Sequence, residues 1–144
     1  MKTLKMAIQK SGRLHDESIQ ILKDCGISVY NGNDQLKVTA SNFPLEVYYL
    51  RNSDIPQYLI DGVVDIAIVG DNLLVEKGQN IQIAEKLGFS KCKVSVAVPK
   101  NFNYNSIQDL KGLRVATSYP KTVIDYFSSK GILLVNNSIS LAVE

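Results

Sequence analysis

Short apolar runs alternate along the chain with segments in which apolar residues recur every three or four positions. The run at residues 4–8 predicts a buried strand, and residues 14–25 predict an amphipathic helix that Gly26 ends. Further apolar runs predict strands at residues 45–50, 64–69, 113–117 and 132–135. A predicted helix follows each of the first three, and Pro56 and Pro120 suit the first turns of two of these helices.

Shorter patterns add four more strand predictions. Residues 27–30 and 36–40 flank the turn-forming sequence Asn-Gly-Asn-Asp, which favours a hairpin. Residues 81–87 predict a strand or an extended segment, and residues 93–99, with alternating valines, predict a strand. Strands that alternate with helices are typical of α/β proteins with mainly parallel sheets.

A loop-rich stretch divides the predicted elements into two groups. It spans residues 99–105 and contains three asparagines, and the change of lobe is expected near residues 93–105. We therefore predict a first α/β lobe at residues 1–93 and a partial second α/β lobe at residues 94–144.

Composition and charge narrow the class of protein. The 144 residues are 45% hydrophobic and 21% charged, which is typical of a globular chain. A net charge of +2 without a basic block does not favour a nucleic-acid partner. The apolar runs are too short to span a membrane, and no secretory signal is recognisable, so we expect a cytoplasmic protein.

The cysteines and the histidine predict neither a metal site nor a nucleophile. Cys25 and Cys92 belong to no Cys-x-x-Cys pair, and we expect both thiols to be buried and inert. His15 has no second ligand at metal-binding spacing and is expected on the surface. No catalytic side chain is evident.

Polar and charged residues gather where predicted strands give way to helices. In open parallel sheets these junctions lie at the carboxyl edge, where ligands bind. Backbone N–H groups, cations and hydroxyls suit phosphate and ribose oxygens, whereas an aspartate suits a hydroxyl or amino group. The candidate binding residues are Lys10, Ser11, Gly12, Arg13, Arg51, Gly70, Asp71, Ser118 and Tyr119.

Each junction also has a simpler interpretation. Arg51 can pair with Asp54 on the surface, and Asp71 or Ser118 can cap the helix that follows. The residues alone therefore predict an α/β domain that binds a small phosphorylated ligand, and they leave that ligand open.

Four longer motifs resemble the ATP phosphoribosyltransferase family, which carries out the first step of histidine biosynthesis. They are Gln-Lys-Ser-Gly-Arg-Leu at residues 9–14, Asp-Ile-Pro at 54–56, the segment Asp-Gly-Val-Val-Asp to Gly-Asp-Asn at 61–72, and Gly-Leu-Arg-Val-Ala-Thr-Ser-Tyr-Pro at 112–120. The first motif resembles the longer branch of the family, which carries its own regulatory domain.

The resemblance implies a reaction and a fold. N1 of ATP would be joined to the ribose C1 of phosphoribosyl pyrophosphate, and pyrophosphate, accompanied by Mg²⁺, would leave. The fold would have two lobes, as in type II periplasmic binding proteins, with the active site between them. The full-length form would be a homo-oligomer.

The resemblance also assigns roles to the candidate residues. The cations of the first two junctions would offset phosphate charge. Asp71 would hold a hydroxyl group or the adenine edge, and Ser118 and Tyr119 would line the second lobe.

The chain departs from the family in one respect that bears on activity. The family's loop for the 5′-phosphate has an acidic residue, a hydrophobic residue and Thr-Gly-x-Thr, and this pattern does not occur in the 144 residues. We therefore expect a fragment with an incomplete second lobe that is inactive alone. The alternative is a non-catalytic α/β module that binds a small anion or effector, and a third reading is an unstable remnant without function.

Overall fold

The computed structural model describes residues 2–30, 35–78, 80–134 and 139–141 and divides into two compact units. Unit 1 is Met1–Cys92 and unit 2 is Lys93–Glu144. The boundary predicted from the sequence lies one residue later, after residue 93.

Unit 1 is a four-stranded sheet with helices. Its elements are β1 (Leu4–Gln9), α1 (Arg13–Asp24), β2 (Lys37–Thr39), β3 (Leu45–Leu50), a 3-10 turn (Asn52–Asp54), α2 (Ile55–Ile60), β4 (Ile66–Ala67) and α3 (Asp71–Lys77). The strand order is β2-β3-β1-β4. β1 runs parallel to both β3 and β4, and β2 is antiparallel to β3, which confirms the predicted mixed α/β class with a mostly parallel sheet.

Helices cover both faces of this sheet. Ile8 and its neighbour in the register, Tyr49, are buried in a core cluster with Leu22 of α1. Ala7 on the opposite face is buried with Ile55 of α2. Because successive strand residues point to opposite faces, this arrangement needs a strand that is apolar on both sides, as residues 4–8 are in large part.

Unit 2 is smaller. Its elements are a 3-10 helix (Ile107–Leu110), β5 (Val115–Thr117), α4 (Pro120–Ser129) and β6 (Ile139–Leu141), and β5 is parallel to β6. Its core consists of Leu110, Phe127 and Ile132. The 3-10 helix begins with a reciprocal capping box between Ser106 and Asp109.

The predicted hairpin is wrong in its pairing. β2 pairs with β3, not with residues 27–30, and the predicted turn at residues 31–34 lies outside the described residues. The reason is local. The Asn42 side chain accepts the Ser28 N–H at 2.8 Å and donates to the Gly26 carbonyl at 2.7 Å, which docks residues 26–28 on the turn before β3.

Three other strand predictions also fail in the part of the chain that the structure describes. Residues 81–87, 93–99 and 132–134 contain no strand, and the β6 strand was not predicted. Among these residues Ile83, Val94 and Val96 are 48–49% exposed. An apolar alternation indicates which positions suit a strand, but a strand also needs a neighbour with free backbone groups, and no local pattern supplies that information.

Several exposure predictions need correction as well. Cys25 and Cys92 are exposed, because Cys25 follows the last turn of α1 and Cys92 lies in a segment outside the sheet and the helices. The His15 side chain is only 15% exposed, since its ring lies 5.8 Å from that of Tyr49. Within the described residues, no helix combines the length and the apolar character that crossing a membrane requires.

The pairing of β4 with β1 is reinforced by a carboxylate, and this contact predicts an acid-sensitive stability. Asp65 accepts the Lys5 N–H at 2.9 Å, and this hydrogen bond, aided by the charge of Lys2, lowers the pKa of Asp65. A lowered folded-state pKa stabilises the fold above the unfolded-state pKa and ceases to do so as the pH falls through the folded-state value. We expect Asp65→Asn to lower the urea midpoint at pH 7.

The urea midpoints of the wild type and Asp65→Asn should become equal in acid. The difference in urea midpoint between wild type and Asp65→Asn should shrink as the pH falls below 4, with Asp61→Asn as a control at a neighbouring carboxylate that accepts only a side-chain hydrogen bond from Gln57. A difference that stays constant from pH 7 to pH 3 contradicts the assigned role of Asp65.

Candidate functional site

The three parallel strands of unit 1 end at one edge of the sheet. β1 is followed by Lys10, β3 by Arg51, and β4 leads to Gly70. From β1 the chain passes through α1 and the edge strand β2 to β3 on one side, and from β3 it passes through α2 to β4 on the other side. The winding therefore reverses at β1. In open α/β sheets the crevice beside such a strand end is the usual ligand position.

The first junction, residues 10–13, lies at this point. The Lys10 N–H donates to the Leu50 carbonyl at 2.8 Å, which holds the start of the loop against the end of β3. Gly12 has φ +89°, a backbone conformation that residues with a Cβ rarely adopt, so glycine is needed here. Arg13 then opens the twelve-residue helix α1 with its side chain 74% exposed.

The second junction presents an exposed arginine. Arg51 precedes the 3-10 turn and is exposed. Asp54 accepts a hydrogen bond from the Ser53 hydroxyl at 3.2 Å, and Arg51 forms no ion pair with it among the described residues. The simpler interpretation of Arg51, a surface pair with Asp54, is therefore wrong.

The third junction carries a charge pair that was not predicted. Gly70 precedes α3, and a Cβ there would come within 2.5 Å of the Asn72 side-chain oxygen. The Asp71 side chain does not cap α3. Its Oδ2 accepts a hydrogen bond from Lys86 Nζ at 2.6 Å, and both side chains are about two-thirds exposed, at 66% and 64%.

The fourth junction belongs to unit 2. Ser118 and Tyr119 follow β5 and are half-buried, and Pro120 is the first residue of α4. The Tyr119 N–H donates to Thr117 Oγ1 at 2.9 Å. The side chain of Thr117, not that of Ser118, therefore accepts the hydrogen bond from the backbone N–H before α4. The structure thus brings the first three junctions together at one edge of unit 1 and places Ser118 and Tyr119 in the other unit.

The chemical character of the edge in unit 1 is cationic. Lys10, Arg13, Arg51 and Lys86 are set against the carboxylates of Asp71 and Glu17. In the described part of the chain, no three His, Cys, Asp or Glu side chains come together as a metal site. The arrangement suits an anion with several oxygens, which cations and backbone N–H groups can bind.

Lys86, Glu17 and Ser90 are the site residues that the sequence reasoning missed. Ser90 Oγ donates to Glu17 Oε2 although 73 positions separate the two residues. Glu17 also lies one helical turn from Arg13, with Oε1 3.8 Å from Nε. Only the spacing of Arg13 and Glu17, i and i+4, could have been read from the sequence.

Another depression on unit 1 does not coincide with these residues. It is an open groove beside α2 lined by Ser53, Asp54 and Lys77 together with side chains of the helix. None of the nine predicted binding residues lines it. The edge of the sheet where charged residues and glycines lie together is the stronger candidate for a ligand-binding site.

A family model and curated relatives that match this chain carry the same name. The family model described as ATP phosphoribosyltransferase matches residues 51–144. Curated proteins of that name from Cytophaga hutchinsonii and Parabacteroides distasonis are 48% and 42% identical to this chain, each over 98% of it. The chain spans about half of their lengths, 49% and 50%.

A solved structure has a similar fold. A chain of the ATP phosphoribosyl transferase (HisG:HisZ) complex from Thermotoga maritima is 22% identical to this chain and superposes with a TM-score of 0.59. The match covers 98% of this chain and 64% of that one. At this identity the likeness concerns the fold.

Beneath the cationic edge, two neighbouring tyrosines differ in whether the hydroxyl group has a hydrogen-bond partner. Removal of the two hydroxyls should therefore change the stability in different ways. The Tyr49 hydroxyl is buried without a hydrogen-bond partner among the described residues, and burial raises the pKa of Tyr49. Tyr48, on the other face of β3, donates to Glu46 at 3.2 Å. A buried polar group without a partner costs free energy, whereas a satisfied one contributes about 1 kcal/mol.

We therefore expect Tyr49→Phe to leave the free energy of unfolding unchanged or to raise it by up to about 1 kcal/mol. Tyr48→Phe should lower it by about 1 kcal/mol. Urea unfolding followed by circular dichroism measures both. If Tyr49→Phe lowers the free energy of unfolding as much as Tyr48→Phe does, the Tyr49 hydroxyl has a hydrogen-bond partner in solution.

Proposed function

The chain belongs to the ATP phosphoribosyltransferase family, and on this basis we propose that it forms part of an enzyme joining N1 of ATP to the ribose C1 of phosphoribosyl pyrophosphate. The C1–oxygen bond to pyrophosphate breaks as the N1–C1 bond forms, and pyrophosphate leaves with the bonding electron pair. The observation that carries the proposal is the cationic edge after β1, β3 and β4.

The proposed roles follow from charge. Lys10, Arg13 and Arg51 offset the negative charge of the phosphate groups. Asp71, which already accepts a hydrogen bond from Lys86, serves as an acceptor for a ribose hydroxyl or for the adenine edge. Positioning the two substrates and stabilising the departing pyrophosphate supply most of the rate acceleration in such a transfer, so no nucleophilic side chain is needed.

Magnesium fits this proposal as an ion that arrives with the substrate. Mg²⁺ at phosphate sites is held chiefly by phosphate oxygens and water, and its charge stabilises the leaving pyrophosphate. The carboxylates of Asp71 and Glu17 at the edge are each paired with a cation, so we assign no residue of this chain as a fixed metal ligand.

Ser118 and Tyr119 extend the proposal to unit 2. We propose that the full-length protein has the two-lobed arrangement of type II periplasmic binding proteins and that both residues line the substrate site from the second lobe. We also propose that it works in the cytoplasm as an oligomer. The related Thermotoga maritima protein is part of a complex with a second kind of subunit, which supports association in this fold.

Binding of ATP by the 144-residue chain tests the unit 1 site. Isothermal titration at low salt should detect binding, and Arg13→Ala should weaken it about tenfold, as expected for the loss of one charge-assisted hydrogen bond. Arg114→Ala is the matched control, since Arg114 is an exposed arginine of unit 2 outside the four junctions. Equal affinities for the wild type and Arg13→Ala contradict the assignment of Arg13.

Titrations with ATP, AMP, inorganic phosphate and sulfate distinguish a transferase fragment from a non-catalytic anion-binding module. A transferase fragment should bind ATP and AMP more tightly than inorganic phosphate or sulfate. A non-catalytic anion-binding module should bind the small anions as well as the nucleotides, with no preference for adenine.

Turnover by the chain alone is expected to be absent. The acidic–hydrophobic–Thr-Gly-x-Thr pattern that the family resemblance assigns to the 5′-phosphate does not occur in these 144 residues. An assay of pyrophosphate release from ATP and phosphoribosyl pyrophosphate should therefore give the rate of the protein-free control. Release that depends on the purified chain would overturn this expectation.

A further inference from the structure

A short segment of unit 1 connects the starts of two helices at the cationic edge. We call residues 86–90 the strap. At one end Lys86 Nζ donates to Asp71 at the start of α3, with a separation of 2.6 Å, and at the other end the Ser90 hydroxyl donates to Glu17 in α1. Between these ends Phe89 packs against the core cluster that contains Ile8.

The backbone of the strap has an uncommon conformation. Gly88 has φ +77° and Ser90 has φ +48°. Glycine accepts positive φ without cost, but serine does not, and a residue held in this region persists only where its surroundings specify it. The hydrogen bond from Ser90 to Glu17 and the packing of the partly buried Phe89 against the core cluster are the contacts that specify it here.

Glu17 connects the strap to a residue of the proposed site. Its Oε2 accepts from Ser90, while its Oε1 lies 3.8 Å from Arg13 Nε. Exposed pairs at i and i+4 stabilise a helix only slightly, because long side chains keep many rotamers. A carboxylate that is already fixed by a hydrogen bond from another residue, here Ser90, restricts those rotamers, so it orients the arginine more than it stabilises the helix.

We propose that Ser90 is a positioning residue of the substrate site, which holds Glu17 so that Glu17 orients the Arg13 guanidinium toward the anion. This proposal rests on the proposed function, in which Arg13 binds a phosphate group. Pre-orientation reduces the rotamer freedom that Arg13 must lose on binding, and it therefore raises affinity without a new contact to the ligand.

Replacement of Ser90 by glycine separates positioning from structure. Ser90→Gly removes the hydroxyl and at the same time relieves the positive φ, so a purely structural role predicts that only thermal stability changes and that ATP affinity stays the same. Positioning predicts that ATP affinity falls about three- to tenfold, the range of one net hydrogen bond, without loss of thermal stability. Asn80→Gly, which relieves φ +70° outside the strap, is the matched control.

A double-mutant cycle and a spectroscopic readout complete the test. In an Arg13→Ala background, Ser90→Gly should no longer weaken ATP binding, because the residue it orients is absent. The chain has three arginines, so ¹⁵N NMR can follow each Nε–H signal, and Ser90→Gly should shift or broaden the signal of Arg13 but not that of Arg114. Additive effects in the cycle, or an unchanged Arg13 signal, would overturn the proposal.

The NMR readout does not depend on the proposed function. If the wild-type chain binds no ATP, the proposed function fails at this site, yet the Arg13 signal still decides whether Ser90 orients that side chain. Should Ser90→Gly fail to fold, Glu17→Gln serves in its place. It keeps an acceptor for Ser90, removes the charge beside Arg13, and should shift the same Arg13 signal.

Discussion

Parallel pairing of β1 on both of its sides is the constraint on which unit 1 depends. β1 pairs with β3 over six positions and with β4 over two. Ile8 and Ala7 are both fully buried, on opposite faces of the sheet. A slip of one residue would exchange the two faces and bring a polar neighbour into the core, so burial fixes the register. The register in turn fixes where Lys10 emerges.

The charged edge is a consequence of this geometry and of solvent exposure. Three parallel strands that end together must also bring the residues after them together, and here the residues after β1 and β3 include Lys10, Arg13 and Arg51. Like charges in water repel one another weakly, because the dielectric constant is high and salt screens them. An anion with several oxygens removes this repulsion when it binds, which makes phosphate a natural complement of the edge.

Sequence reasoning located the junctions but not the contacts made across the fold. Gly12, Pro56 and Pro120 mark helix starts by local chemistry, and the predicted helices at 14–25 and 120–130 agree with α1 and α4 within one residue at each end. The failed strands at 81–87 and 93–99 required knowledge of a pairing partner. The partnerships of Lys86 with Asp71 and of Ser90 with Glu17 span 15 and 73 positions, and no local pattern encodes them.

Buried side chains stabilise unit 1, whereas exposed charged side chains of neighbouring residues are available to bind a ligand. Ile8 at the end of β1 is fully buried, whereas Arg13, five positions later, has a side chain that is 74% exposed. Loss of a buried isoleucine side chain costs about 2–5 kcal/mol, while an exposed ion pair such as Arg13–Glu17 contributes at most about 1 kcal/mol. The charged residues at the edge therefore contribute little to folding. Their arrangement above a tightly packed strand end is explained better by the ligand they would bind than by the stability of the chain.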